Sequence, residues 1–306
     1  MDRNKKVLIT GANGFTGRHA CQFFADCGYD VTGMVRSLPS KRSDVKLIYG
    51  DLGCQQRIEE VIKEIKPELI LHLAGLNNVG ESWVVPDECI STNVMGTVHL
   101  LEAVRNSCPE AKMIVVGSML QEQPEEIPAN PYSLSKTIQF QVSKAWEHLY
   151  EMNILFVKPT NLIGPGPANG ICSILAQKIV QMESEKQSGT ISLDSLDASR
   201  DFLDVRDAVK AFAILAELGQ KGHVYELGTG VKRPLREVIE ELRQLSVIEF
   251  EVNEQKPQKR TMTHVSGYST LQDLNNLGWE PSISLQTSLR DILEYHRRRK
   301  GENMDE

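Results

Sequence analysis

The chain has 306 residues, 41% of them hydrophobic and 25% charged, and carries a formal net charge of -7. Such a length and balance fit a folded globular protein of one large or two modest domains, and exclude a disordered or fibrous chain. The acidic surplus, with a pI near 5.6, argues against a nucleic-acid-binding protein, which presents a basic face, so any anionic ligand has to be held by a few local cations.

The first ten residues, MDRNKKVLIT, pass from charge straight into a short apolar run, without a signal-peptide core or cleavage pattern. No apolar stretch reaches the roughly 20 residues of a membrane helix, so a cytoplasmic protein without membrane contact is expected. Lys6 to Thr10 is a β-branched apolar strand, followed by glycines, an amphipathic stretch to Cys27 and a second strand from Val31 to Val35, which together make a βαβ unit. The alternation continues with a helix from Glu59 to Ile65, a strand from Leu69 to Leu73, a helix from Cys89 to Arg105 and a strand from Met113 to Val116. A long helix from Tyr132 to Tyr150 then leads into a strand from Ile154 to Val157. Strands apolar at every residue, separated by helices, predict a doubly wound parallel sheet covered on both faces.

After Pro159 the pattern loosens, with loop signals in Ile163-Gly-Pro-Gly-Pro and a polar run from Ser184 to Gly189. Asp204 to Ala216 reads as a helix and Val224 to Leu227 as a strand, and Ser284 to Arg299 is an amphipathic helix before a solvated basic run. The division expected is a Rossmann domain over 1–160, rejoined by 201–228, and a smaller α/β substrate-binding domain over 161–200 and 229–306. The six cysteines, Cys21, Cys27, Cys54, Cys89, Cys108 and Cys172, form no CxxC pair and are expected to be buried free thiols, with no metal site.

Gly11-Ala12-Asn13-Gly14-Phe15-Thr16-Gly17 lies between the first strand and the first helix, where glycines let the backbone turn sharply and approach a pyrophosphate at the helix N-terminus. At the end of the second strand a site for NAD places a carboxylate against the ribose 2′-hydroxyl. Here Val35 and Arg36 stand there, and a guanidinium pairs with a 2′-phosphate, which favours NADP(H); a solvent-facing arginine is the plainer alternative. Asp51-Leu52, after the third strand, fits an adenine contact. Tyr132 and Lys136 open the long helix four residues apart, so both lie on one face, and an ammonium near a phenol lowers its pKa toward working pH.

These motifs, with His72-Leu73-Ala74-Gly75, Asn93, Asn161 before Gly164-Pro165-Gly166, and Arg200-Asp-Phe-Leu-Asp204, resemble over nearly the whole chain the extended short-chain dehydrogenases, the NAD-dependent epimerase/dehydratase family. Ser91-Thr-Asn-Val-Met-Gly-Thr97 and Arg200 to Asp207 look most like the branch that reduces GDP-4-keto-6-deoxy-mannose. The resemblance implies a homodimer built on the helices from Cys89 and from Tyr132, and a nucleotide-diphosphate sugar as substrate. It implies that Tyr132 is the general acid/base, that Lys136 lowers its pKa and binds the nicotinamide ribose, and that Leu73, Ala74, Gly75 and Asn93 line the cofactor. Asn161, Arg200 and Arg260 would face the diphosphate, although each arginine also fits a solvated surface position.

The chain departs from that family after the fifth strand. The usual Ser-Ser or Ser-Thr, followed in dehydratases by Asp-Glu, is here Gly117-Ser118-Met119-Leu120-Gln121, which has no acid or base for elimination. Ser118 either supplies the missing hydroxyl or plays only a structural part. The stretch from Ser118 to Tyr132 is also short for the family, and Arg260-Thr-Met-Thr263 lacks the proline and acid usual after that arginine. Three functions remain open: a 4-keto sugar reductase, a nucleotide-sugar 4-epimerase, and a catalytically impaired NADP-binding partner or sensor.

Overall fold

The computed structural model describes residues 4–38, 45–123, 125–254 and 271–302. In chain order the elements begin β1 Lys6–Thr10, α1 Phe15–Asp26, β2 Asp30–Val35, β3 Lys46–Tyr49, α2 Gln55–Ile65, β4 Leu69–His72, α3 Val79–Ser82 and α4 Pro86–Ile90. A π-helical turn, Ser91–Met95, runs on into α5 Gly96–Ser107, followed by β5 Lys112–Val116, α6 Pro131–Leu149, β6 Ile154–Pro159, β7 Asn161–Ile163 and α7 Ile171–Glu185. The remainder is β8 Thr190–Leu193, β9 Ser199–Asp204, α8 Val205–Leu218, β10 Val224–Leu227, β11 Lys232–Pro234, α9 Leu235–Leu245, β12 Glu251–Glu254, α10 Leu271–Asn276 and α11 Leu285–Glu302.

The chain divides into two compact units. The first takes the described residues of 1–159, 209–227 and 271–279. Its sheet has seven strands in the order β10-β6-β5-β4-β1-β2-β3, every neighbouring pair parallel, which is a Rossmann-type doubly wound sheet. The strands are continuous apolar runs because helices cover both faces. Leu8, Ile70, Met113, Ile154 and Phe156 on the strands meet Ile58, Val61 and Ile62 of α2 and Leu100 and Val104 of α5 in one core.

The second unit takes the described residues of 160–208, 228–254 and 280–302. A three-stranded sheet, β11-β9-β7, and a parallel pair, β12-β8, are packed with α7, α9 and α11 around Leu175, Ile179, Val238, Leu242 and Ile292. The loose pattern after Pro159 thus hides two full helices, α7 and α9. Within this unit the last helix is fastened through Asp204, which accepts from Ser288 Oγ at 2.6 Å and from Arg206 Nη2 at 2.8 Å, while Arg206 also meets Asp291 at 2.7 Å.

All six cysteines are free, but the expectation that all are buried holds only for Cys21, Cys89 and Cys172; Cys27 and Cys108 are half-buried and Cys54 is exposed, because it precedes α2 in an open turn. Among the described residues no helix is long and apolar enough to cross a membrane.

Candidate active site

The glycine turn is fixed by sterics. Gly11 has φ +69°, a left-handed conformation that favours glycine, and a Cβ there would lie 2.9 Å from the backbone of Ala74. A Cβ on Gly17, in the first turn of α1, would overlap the Gly11 carbonyl oxygen. Gly14 caps α1 without a side-chain hydrogen bond, and its own N–H donates to Gly11 O at 2.9 Å. The first amides of α1, at Phe15, Thr16 and Gly17, therefore have no capping side chain, as a helix end that receives a phosphate requires. Asn13 is turned toward the end of β2, with Nδ2 donating to Ser37 O at 3.2 Å, and Arg36 is solvent-exposed at that same strand end. The absence of a Cβ where a backbone must be approached and the open helix end fit a dinucleotide.

Of the remaining cofactor candidates around this turn, Asp51, Leu52, Leu73, Ala74 and Asn93 are half-buried or buried, and each is held by hydrogen bonds. Asp51 Oδ1 accepts from Gly53 N at 2.9 Å, and buried Leu52 gives its carbonyl to His99 Nδ1 at 2.7 Å. Leu73 N and Ala74 N both donate to Thr10 Oγ1, at 3.1 and 3.0 Å, which ties that loop to β1. Asn93 is wholly buried: its Oδ1 accepts from Leu76 N at 2.7 Å, and its Nδ2 donates to Leu76 O at 3.0 Å and Ser135 Oγ at 2.8 Å. Its amide is fully used in holding the 75–76 loop against α6, so its side chain shapes the cofactor loop from behind.

Tyr132 and Lys136 lie in the first turns of α6, whose N-cap Asn130 accepts from Ser133 N at 2.8 Å. Tyr132 is buried, and the Ser118 side chain acts on its phenol in the direction that favours the ionised form. Met119 is buried, with its N–H donating to Pro159 O at 3.0 Å, so Ser118 presents the hydroxyl. Gly117 has a reason to replace serine: a Cβ there would overlap Gln121 Oε1, which instead accepts from Ser118 N at 3.1 Å and fixes that turn. The short segment before α6 is tied down by Glu122, whose N–H donates to Thr137 Oγ1 at 3.0 Å and whose carboxylate accepts from Ala129 N at 2.9 Å.

Burial raises the phenol of Tyr132 above its ordinary value of 10.0, although the Ser118 side chain pulls the other way. Lys136 Nζ donates to Gln139 Oε1 at 2.8 Å and to Val116 O at 3.2 Å, both uncharged acceptors. Burial in turn lowers the lysine from 10.5 to about 8.

In the second unit, Asn161 pairs with Phe202 in the β7–β9 ladder and donates Nδ2 to Asp201 O at 3.1 Å. Arg200 is exposed on β9 directly opposite Arg233 of β11, so two guanidinium-bearing side chains share one face; the sequence alone does not single out Arg233. Burial pushes the Cys172 thiol, in the first turn of α7, up to about 12 against the pull of the Arg200 charge. Gly170 caps α7 without a side chain. Arg260 lies outside the described residues.

The family model described as NAD dependent epimerase/dehydratase matches residues 7–228. A GDP-6-deoxy-D-mannose reductase of Pseudomonas aeruginosa is 28% identical over 305 residues, covering 94% of this chain and 96% of that protein. The solved structure of RMD from Pseudomonas aeruginosa complexed with NADPH matches with a TM-score of 0.80 at 26% identity, covering 97% of this chain and 98% of that one. UDP-glucose 4-epimerase of Thermus thermophilus, in complex with NAD, has a TM-score of 0.83 at 21% identity over 95% of this chain and 99% of its own, a likeness of fold.

Proposed function

Because this chain belongs to the NAD-dependent epimerase/dehydratase family, we propose that it is an NADPH-dependent reductase of a nucleotide-linked 4-keto-6-deoxy sugar, GDP-4-keto-6-deoxy-mannose being the first substrate to try. The observation that carries this reading is a buried Ser118–Tyr132–Lys136 group with no carboxylate at the positions that directly follow Ser118, since Met119 and Leu120 are apolar and Gln121 is an amide. A nicotinamide held beside Tyr132 and Lys136 would supply the hydride for C4. Tyr132, kept protonated by burial, gives its phenolic proton to the carbonyl oxygen as that oxygen gains charge. Ser118 orients the phenol, and the ammonium of Lys136 favours the phenolate left behind. Arg200, exposed on β9, and the uncapped end of α7 supply the positive charge that a diphosphate needs on an acidic protein, while Arg233 opposite Arg200 is paired with Glu237 at 3.1 Å. The test is NADPH oxidation against GDP-, UDP- and dTDP-4-keto-6-deoxy sugars alongside UDP-glucose with NAD; turnover of a keto sugar supports the reductase, and interconversion of UDP-glucose with retained NAD overturns it.

Cofactor choice rests on Arg36, which occupies the position where a site for NAD has a carboxylate. Arg36→Ala is expected to weaken NADPH binding roughly tenfold, as loss of one charge-assisted contact does, and to leave NADH binding unchanged. Equal affinity of the unaltered protein for the two cofactors would sink the assignment.

The assembly proposed is a homodimer through the helices around α4–α6. Trp83, Val84, Met95 and Leu134, 37–79% exposed, are the apolar side chains that such contact would cover. Sedimentation at micromolar concentration is expected to give a dimer, and a monomer there counts against it.

A further inference from the structure

Lys136 is held by a hydrogen-bond relay that runs back into the sheet, and the proton positions along it follow by elimination. Thr10 Oγ1 accepts from Leu73 N and Ala74 N, so its own proton goes to His72 Nδ1, 2.8 Å away. His72 is then protonated on Nε2, which donates to Thr97 Oγ1 at 2.9 Å. Thr97 passes its hydroxyl proton to Asn93 O at 2.7 Å, which leaves its oxygen as an acceptor for Gln139 Nε2 at 2.9 Å. Gln139 can point its amide only one way. Reversing it would set an NH2 against the lysine ammonium and an oxygen against a threonine oxygen with no proton to give. In the orientation observed, Gln139 Oε1 accepts from Lys136 Nζ at 2.8 Å. Thr10, His72, Thr97, Gln139 and Lys136 are all buried, so each of these bonds lacks competition from water.

We propose that Gln139 is the positioning residue of this site: its amide, oriented by Thr97, which His72 orients in turn, fixes the ammonium of Lys136 against the Val116 carbonyl through an acceptor that carries no charge. This rests on the assignment of Lys136 above. A glutamate in that place would hold the ammonium as a full ion pair and keep it charged far into the alkaline range. The neutral amide holds it in position while leaving its proton labile, in keeping with the fall of the Lys136 pKa to about 8 by burial. The same relay keeps His72 neutral, since burial and then the Lys136 charge lower it from 6.5 to about 3. Among the described residues, the titratable groups that act on or feel Lys136 are the Cys89 thiol on α4 and His72 at the end of β4, and the Tyr132 phenol stands one turn earlier on α6.

The test reads Lys136 directly, in protein labelled with 13C at lysine Cε, the resonance being assigned by its loss in Lys136→Arg. The unaltered protein is expected to titrate near 8. Gln139→Glu should move the midpoint upward by more than one pH unit, a change of over tenfold in proton affinity, and Gln139→Leu should move it downward. Opposite movements support the proposal. Midpoints that stay at the unaltered value, or that both move in one direction, overturn it, because a merely structural glutamine would change melting temperature without sorting the variants by charge. If Gln139→Leu does not fold, the near-isosteric Gln139→Glu carries the decision alone. The measurement uses neither sugar nor cofactor, so it stands if the keto-sugar panel shows no turnover, and turnover there does not rescue it.

Discussion

Tyr132→Phe is expected to lower kcat for keto-sugar reduction about 10²–10⁴-fold while NADPH binds as before. The ring remains to fill its site in the first turn of α6, and only the hydroxyl on which Ser118 acts is lost. Nothing nearby replaces it, since Lys136 Nζ is turned to Gln139 and Val116 and Gln121 is an amide. Stopped-flow oxidation of NADPH measures the rate, and cofactor fluorescence measures the binding. A variant that reduces 4-keto sugars at the unaltered rate would remove Tyr132 from the chemistry. The pH dependence has a definite sign: Lys136 is protonated below about 8 and loses its charge above, so the rate should fall as pH rises through that value.

A second large effect is expected from Gly17→Ala. The added methyl would overlap the Gly11 carbonyl oxygen and come within 2.8 Å of Ala12 Cα, and both obstacles are backbone. The turn cannot move aside freely, because Gly11 already lies close to the Ala74 backbone on its other side. Overpacking of this kind costs about 1–3 kcal/mol, so NADPH affinity should drop tenfold or more and the melting temperature by several degrees. Gly14→Ala is the comparison. Gly14 has φ -70°, which any residue adopts, and its Cβ would stand 3.1 Å from the Gly11 oxygen, so a milder loss is expected. If Gly17→Ala binds NADPH with unaltered affinity and stability, the close approach of α1 to the turn does not shape the site.

The parts of the fold that were legible beforehand are those written in local pattern. β1, the glycines and α1 are read from adjacent residues, and Tyr132 and Lys136 from a spacing of four on one helix. α7 and α9 were missed, although Leu235, Val238, Ile239 and Leu242 follow helical spacing, because the loop signals after Pro159 dominated the reading of that region. What depends on burial was not legible at all. No local pattern tells that Asn93 spends its amide on Leu76 and Ser135, or that the phenol of Tyr132 is raised and not lowered. Gln139 looked like one more polar residue of a helix, and its role needs His72 and Thr97, respectively 67 and 42 positions away.

The π-helical turn at Ser91–Met95 has a consequence for how this site tolerates changes of length. It accommodates a slack residue between α4 and α5, and it lies between Cys89, which faces α6, and Thr97, which reaches Gln139. Along a helix, removing one residue advances nothing by much but rotates everything beyond it by about 100°. The turn therefore works as a vernier, setting the angular phase of α5 against α6 independently of how α4 is seated. Excising a residue from it would swing Thr97 away from the amide it clamps.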